Sequence, residues 1–409
     1  MSIPRTIPVF FFSLIIVACL FVPSLYAAEF LYGLDVLQRS GFRELDGKRV
    51  GLITNAAGVS VSGQAGYRVL LNGGVDVRFI MAPEHGFSVQ AAAGEQVGDR
   101  SIGDSLRVYS LYGASRRPDR KRLEEIDVML FDLQDVGARC YTYISTMRYA
   151  MEACQKAGVS FMVLDRPNPV SPVPADGFML DPDYVSFVGA VPVPFIHAMT
   201  VGEIARLLKK CCYPDIDLHV VRMQGYSRGL FADEYRGFRF VSPSPNIRNL
   251  ETALVYPATV FLEAANISEG RGTVAPFMQF GAPYIARPDR LKLLLDAQRL
   301  PGVSFRTVRF KPVSGKFKGV ECRGLRMNVT DRYVFEPFRT GVAILAVLQK
   351  SYPDSLRLDE KGDFFDKLAG TPLLRRMLTS EHSVEEILAA SRLQVHAFEQ
   401  RYPDRFIYR

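Results

Sequence analysis

The chain of 409 residues contains no tryptophan, five histidines and six cysteines. None of the histidines (His85, His197, His219, His382, His396) stands four residues from another, so a dedicated zinc site is not expected. The cysteines form no C-x-x-C pair, which removes zinc-ribbon and dithiol redox readings. Apart from Cys19, the odd set Cys140, Cys154, Cys211, Cys212 and Cys322 reads as mostly buried small apolar residues, with at most one or two disulfides. A G-x-G-x-x-G after the first strand, a Walker A loop, H-E-x-x-H and G-x-S-x-G are all missing, which weakens dinucleotide, nucleotide-hydrolysis, metalloprotease and serine-esterase readings. A carboxylate-held Mg²⁺ or Ca²⁺ is left open by these counts, but neither a metal nor a cofactor is expected.

Charge is also unconcentrated. The formal net charge is +7, yet no run of five or six like charges occurs, and the densest basic stretch, Arg116 to Arg122, is broken by Asp119. It reads as a solvated helix start, and no nucleic-acid partner is expected. No apolar run reaches the roughly 20 residues that a spanning helix needs. The run from Val9 to Val22, interrupted only by Ser13, follows the single positive residue Arg5 and precedes Ala27-Ala28, the anatomy of a secretory leader. Residues 1–27 are therefore expected to be a signal peptide, and the mature protein periplasmic or secreted. Ile16-Val17-Ala18-Cys19 also looks like a lipobox, but the apolar residues after Cys19 make a lipid anchor there the weaker expectation.

What is present is a globular composition, 48% hydrophobic and 23% charged, long enough for two domains. Short β-branched runs at Arg49–Thr54, Val75–Met81, Ile126–Asp132 and Val159–Asp165 alternate with helical spacing at Gln64–Leu71 and up to Lys156, where Gly158 sits at a C-cap position. Thr200 and Glu203 form a capping box before a helix over Val201–Lys210, and Leu218–Met223 reads as another strand. The expectation is an α/β fold, a Rossmann-like, doubly wound, mostly parallel sheet over residues 28–283. Residues 226–283 read as long loops around one last strand near Leu254–Leu262. From residue 284 a helix at Asp289–Ala297, strands at Val303–Val313 and Gly319–Val329, and helices at Phe338–Gln349 and Val384–Arg401 make a smaller C-terminal α+β domain to residue 409.

In open α/β sheets ligands bind beyond the carboxyl ends of the strands. Those ends carry Thr54-Asn55, Pro83-Glu84-His85-Gly86, Asp132-Leu133-Gln134-Asp135 and Asp165-Arg166-Pro167-Asn168, all expected to point into one crevice. Glu84 follows an apolar stretch whose desolvation would suit a carboxyl group to donate a proton near neutrality, and it is the leading general-acid candidate; a helix-capping carboxylate is the plain alternative. His85 either orients a hydroxyl or that carboxylate, or is structural. Asp132 and Asp135, with Arg139 nearby, either work on substrate or water or form a loop-fixing ion-pair network. Arg166 and Asn168 are held by flanking prolines as rim donors or as a turn. The segment Phe261 to Thr273 packs Glu263, Asn266, Glu269 and Arg271 among loop glycines; Arg271 either grips a carboxylate in bidentate fashion or ties the loop to its own glutamates.

At these residues the chain resembles the NamZ-type exo-β-N-acetylmuramidases of peptidoglycan turnover, a family first catalogued as a domain of unknown function. The likeness rests on Gly51-Leu52-Ile53-Thr54-Asn55, Pro83-Glu84-His85-Gly86-Phe87, Ala93-Gly94-Glu95, Phe131-Asp132-Leu133-Gln134-Asp135-Val136-Gly137-Ala138-Arg139 and Leu164-Asp165-Arg166-Pro167-Asn168-Pro169. It continues through Ser244-Pro245-Asn246-Ile247, Tyr256-Pro257 and Asn266-Ile267-Ser268-Glu269-Gly270-Arg271-Gly272-Thr273. Ser88-Val89-Gln90-Ala91 stands where the family carries a more polar, glycine-bearing loop. The resemblance implies a Rossmann-like catalytic domain, a smaller C-terminal domain and exo-hydrolysis of terminal β-1,4-linked N-acetylmuramic acid from peptidoglycan fragments, with Glu84 as the acid. The second group is open among Asp132, Asp135, Glu263, Glu269 and the sugar's own N-acetyl carbonyl. Arg271, Arg139 and Arg166, in that order, are candidates for the lactyl carboxylate; Asn55, Asn246 and Tyr141, Tyr143 or Tyr284 are candidates for the sugar itself. The alternative is a non-catalytic periplasmic binding protein for cell-wall muropeptides or sugars.

Overall fold

The computed structural model describes residues 29–103 and 106–409; the expected leader and Cys19 lie outside them. Seven strands form the main sheet: β1 (Arg49–Thr54), β2 (Asp76–Ala82), β3 (Arg100–Ile102), β4 (Leu106–Ser110), β5 (Val128–Asp132), β6 (Ser160–Leu164) and β7 (Leu218–Val221). Their order is β3-β4-β2-β1-β5-β6-β7, and every pairing is parallel except that of the short edge strand β3 with β4. β5 is buried along its whole length and β1 at all but its first residue, because helices cover both faces. These are α1 (Gly33–Arg39), α2 (Gly66–Asn72), α3 (Arg120–Leu123), α4 (Tyr143–Ala157) and α5 (Val201–Cys211). Gly158 closes α4 at φ 68°, and Thr200 with Glu203 caps α5 as the capping box expected there. The chain runs outward from β1 through β2 to β4, then returns to β5 beside β1 and runs outward the other way. The strand order therefore reverses between β1 and β5.

A second layer begins earlier than expected. Leu254–Leu262 is not a strand: it lies in α6 (Leu250–Thr259) and the 3₁₀ turn Val260–Glu263. Every residue of α6 from Thr252 to Thr259 is buried, so the helix carries no polar stripe, and a short apolar run without period cannot be told from a buried strand. Asn249 caps it, its side chain accepting from Thr252 N. After it come β8 (Gln279–Ala282), α7 (Pro288–Asp296), β9 (Val303–Phe310), β10 (Cys322–Val329), α8 (Pro337–Ser351), α9 (Phe364–Ala369), α10 (Leu373–Thr379) and α11 (Val384–Arg401). The small antiparallel sheet has the order β8-β10-β9, so it draws its first strand from before residue 284. The C-terminal tail then returns to the large sheet, where Tyr408 Oη donates to Asp165 Oδ2 at 2.7 Å and Ile407 N donates to Glu203.

All five described cysteines are free. Cys140, Cys154 and Cys322 are buried as expected of small apolar residues, but Cys211 is exposed and Cys212 half-buried at the end of α5. No described helix is long and apolar enough to cross a membrane.

Candidate active site

The cleft lies where the turn after β2, the start of α4 and the first segments of the second layer meet. It is small, with about 60 Å³ of free space. Its lining brings together Glu84 and His85 with Tyr141, Thr142, Ser244 and Asn246, and with Tyr256, Glu263, Arg271 and Phe277. Both Glu84 and His85 are 7% exposed.

Glu84 is held at both carboxyl oxygens. Gly94 N donates to Oε1 at 2.9 Å, and Thr142 Oγ1 donates to Oε2 at 2.7 Å. Thr142 occupies the N-cap position of α4, yet its hydroxyl makes no cap and turns to Glu84 instead. Below it, Tyr143 Oη donates to Pro243 O and receives a hydrogen bond from Asn55 Nδ2 at 2.9 Å, tying the end of β1, α4 and the 243–247 loop together.

His85 adopts φ 71°, a conformation that the Pro83–Gly86 turn imposes. Its Nδ1 lies 2.8 Å from the Ala91 carbonyl, an acceptor only, so the ring proton sits on Nδ1 and Nε2 is left with a free lone pair. The divergent Ser88–Ala91 loop thus serves His85 through a main-chain carbonyl, which any residue supplies. Burial, outweighing the attraction of Glu84, lowers the His85 pKa below its usual 6.5. Folded protein therefore binds fewer protons at this ring than the unfolded chain, so its contribution to stability is fully present above pH 6.5 and is lost as pH falls below that value through the lower folded-state pKa. The thermal midpoint is expected to drop between about pH 7 and about pH 5.5, and His85→Asn to flatten that slope; an unchanged slope in the variant would contradict this assignment.

Across the cleft, Arg271 Nη1 lies 2.9 Å from Glu263 Oε2 and 3.3 Å from Glu269 Oε1, and Lys316 Nζ meets Glu269 Oε2 at 3.0 Å. Burial opposes the charge on Arg271, but the two glutamates outweigh it and raise its pKa. Gly270 and Gly272 flank it at φ 81° and 74°; a Cβ on either would strike the Gln279 or Ser314 backbone below 3.0 Å, which fixes the loop path. The Arg271 Nε is buried and has no partner among the described residues. An acid, a neutral imidazole and an oriented guanidinium around one small cleft can protonate a leaving oxygen and grip a carboxylate.

Two family profiles, described as the N-terminal and C-terminal parts of the exo-β-N-acetylmuramidase NamZ, match residues 50–251 and 254–408. The chain belongs to the NamZ exo-β-N-acetylmuramidase family. The peptidoglycan β-N-acetylmuramidase NamZ of Bacillus subtilis (strain 168) is 42% identical over 380 residues, 92% of this chain and 91% of that protein. Two DUF1343 family proteins of Bacteroides fragilis NCTC 9343 have solved structures that share the fold. One superposes with TM-score 0.85 at 30% identity, the other with 0.73 at 25%, each over 93% of this chain and 99% of its own. The NamZ profiles divide this chain next to the start of α6, the same place at which the second layer begins.

Of the residues singled out from the sequence, the fold brings Glu84, His85, Tyr141, Asn246, Glu263 and Arg271 to the cleft, with Asn55 and Glu269 one layer behind. It takes the others elsewhere. Asp132 Oδ1 accepts from Arg166 Nε at 2.6 Å, both side chains at most 2% exposed, under a loop whose Gly58 and Gly66 press against that carboxylate. Asp135 is fixed by Gly137 N at 2.7 Å and by His197 Nε2 at 3.0 Å. Arg139 is wholly buried, donates to the carbonyls of Phe178, Val193 and Ala369, and has its pKa lowered to about 10 by burial. Asn168 braces its own turn through Val170 N and Met199 O, and Asn266 holds Ser355 O and Arg357 N at 2.7 Å each. Tyr143 is a buried strut, and Tyr284 packs on Tyr352. In each case protein groups distant in the chain engage the side chain away from the cleft, although Asp132 Oδ2, Asp135 Oδ1, Arg139 Nε and Tyr284 Oη are buried without a partner among the described residues.

Thr142, Ser244, Tyr256 and Phe277 line the cleft without having been singled out for it. For Thr142 the signal was legible in principle, as an N-cap threonine at the carboxyl edge of the sheet. Tyr256 was marked only as part of the Tyr256-Pro257 family motif, and Phe277 carried no signal, because its place depends on the path of the loop after Gly272.

Proposed function

We propose that the protein is an exo-acting glycosidase that releases terminal β-1,4-linked N-acetylmuramic acid from peptidoglycan fragments, with Glu84 as general acid. The observation that carries this reading is the Glu84 carboxyl group clamped by Thr142 and Gly94 at the cleft, in a chain alike over nearly its whole length to a protein named for that activity. Each carboxyl oxygen accepts one protein hydrogen bond and keeps a second position for a proton or the substrate. In the reaction the Glu84 proton passes to the glycosidic oxygen, the C1–O bond breaks with its electron pair leaving on that oxygen, and water bonds to C1 as hydroxyl while its other proton passes to a base and, through solvent, restores the one Glu84 gave up. Of the acids considered for the second role, Glu263 alone joins Glu84 in the cleft wall, and we assign it that role. Arg271, which lines the same cleft, receives the lactyl carboxylate of the buried sugar in this reading.

The leader anatomy around Arg5, Val9–Val22 and Ala27-Ala28 supports export, so the site of action is the periplasm or the exterior, where peptidoglycan lies.

The test is release of free N-acetylmuramic acid and N-acetylglucosamine from the purified MurNAc-β-1,4-GlcNAc disaccharide. Retention of intact disaccharide by the protein would replace the hydrolase with a binding protein. Thr142 is a positioning residue in this scheme. Thr142→Val is expected to lower kcat about tenfold to a hundredfold with little change in KM, and Thr142→Ser to restore it. Equal losses in both variants would remove the hydroxyl from the mechanism.

A further inference from the structure

Beside Glu84 stands a group of aromatic and basic residues that the reaction as described does not use. Tyr112 stands close to Glu84 and Arg116, and burial together with the Glu84 carboxylate raises the pKa of its hydroxyl, so it stays a donor. The Tyr112 ring lies 5.5 Å from that of Phe187, next to the cleft residue Val188, and Phe187 is followed at 5.9 Å by Tyr149. Two guanidinium groups lie on this shelf. Arg117 sits 4.1 Å above Tyr149 and is engaged by Glu152 at 3.3 Å. Arg116 sits 4.2 Å above Phe187 and 5.1 Å from Tyr112, is exposed, and has no carboxylate partner among the described residues.

An exo-enzyme buries the terminal sugar, and everything beyond the glycosidic oxygen must leave on the acid's outer side. Tyr112 neighbours Glu84, and Phe187 precedes the cleft residue Val188. A glycan that leaves past the acid on this side meets Tyr112 first. A guanidinium held flat on a ring has lost little further freedom when it binds, and an unpaired one favours an anion that can take two parallel hydrogen bonds. We infer that Tyr112 and Arg116 form a leaving-group subsite that takes the next disaccharide of the glycan, its lactyl carboxylate on Arg116. The inference rests on the glycosidase reading. It gives one arginine to each muramic acid, Arg271 to the buried sugar and Arg116 to the following one, matching a peptide-free glycan, which carries a free lactyl carboxylate on every second sugar.

The test compares kcat/KM for the peptide-free tetrasaccharide (MurNAc-GlcNAc)₂ with that for the disaccharide, in wild type, Arg116→Gln and Arg116→Lys. The tetrasaccharide-to-disaccharide ratio is expected to fall about tenfold in Arg116→Gln, mainly through KM, and only in part in Arg116→Lys. Wild type acting on a tetrasaccharide whose second lactyl group alone is a methylamide should behave like Arg116→Gln; if instead only peptide-bearing glycans lose preference in the variant, the carboxylate read is that of the stem peptide and the lactyl assignment falls. An unchanged ratio overturns the subsite. Calorimetric binding of the tetrasaccharide to Glu84→Gln, with and without Arg116→Gln, reads the same subsite without turnover. Failure of wild type to cleave either glycan would sink the glycosidase reading, while the calorimetric difference would still decide the role of Arg116.

Discussion

Glu84→Gln is expected to reduce release of N-acetylmuramic acid from the disaccharide by about a thousandfold while leaving the fold intact, the loss typical of a missing general acid. The amide cannot transfer a proton, yet it satisfies both clamps: its carbonyl oxygen can accept from Gly94 N, and its NH₂ can donate to the Thr142 hydroxyl, which rotates to accept. The thermal midpoint should therefore barely change. A substrate with a leaving group that needs no proton, such as a nitrophenyl β-muramide, should be cleaved by the variant with a much smaller deficit. Equal deficits on both substrates would assign Glu84 to binding or electrostatics and leave the proton donor to be found.

The second large effect concerns stability and leaves turnover intact. Asp132 and Arg166 form a contact of 2.6 Å with side chains 1% and 2% exposed; Arg166 Nη2 also donates to Val59 O, and its guanidinium lies 4.7 Å from the Tyr32 ring centre. Removing one partner strands the other charge away from water, which costs about 3–5 kcal/mol. Asp132→Ala and Arg166→Met are each expected to unfold at markedly lower temperature. The double change Asp132→Leu with Arg166→Met should recover part of the loss, because an apolar pair strands no charge. The folded fraction of Asp132→Ala should keep its kcat/KM for the disaccharide within about threefold, since neither side chain reaches the cleft. A large fall in kcat at unchanged stability would return Asp132 to the chemistry.

These two experiments separate what looked alike in the sequence. Glu84, Asp132 and Asp135 all stand just after an apolar strand, and the rule that ligands bind at strand ends treats them equally. The rule located the correct edge of the sheet. It did not say which strand ends stay open. Between β1 and β5, where the strand order reverses, the 55–66 loop folds over the edge and brings Gly58 and Gly66 against Asp132, so the position expected to hold ligand is filled with protein. After β2 the turn through His85 and Gly86 leads the chain outward, and the carboxyl group of Glu84 stays at a wall.

The parallel layer was legible because each strand is a short continuous apolar run and each helix carries its own caps, signals that depend on neighbours within a few residues. The capping box at Thr200 and the glycine closing α4 needed no tertiary information. α6 was not legible, since a helix buried on every side has no period to read, and with it went the position of the second layer and of Tyr256. Arg139 misled for a similar reason. An arginine after a strand end suggests an anion, and only the carbonyls of Phe178, Val193 and Ala369, distant in the chain, make it a strut.

By itself the amino-acid sequence determined the fold class, the family likeness, the strand-end motif that carries Glu84 and the loop that carries Arg271, because local periodicity, caps and ordered short motifs encode all four. The tertiary structure decided which charged groups face the cleft and which are spent on one another. That choice is made by contacts between segments far apart in the chain, among them Thr142 with Glu84, Arg166 with Asp132 and Tyr143 with Pro243, and a buried polar group goes to whichever partner the fold brings within hydrogen-bonding reach.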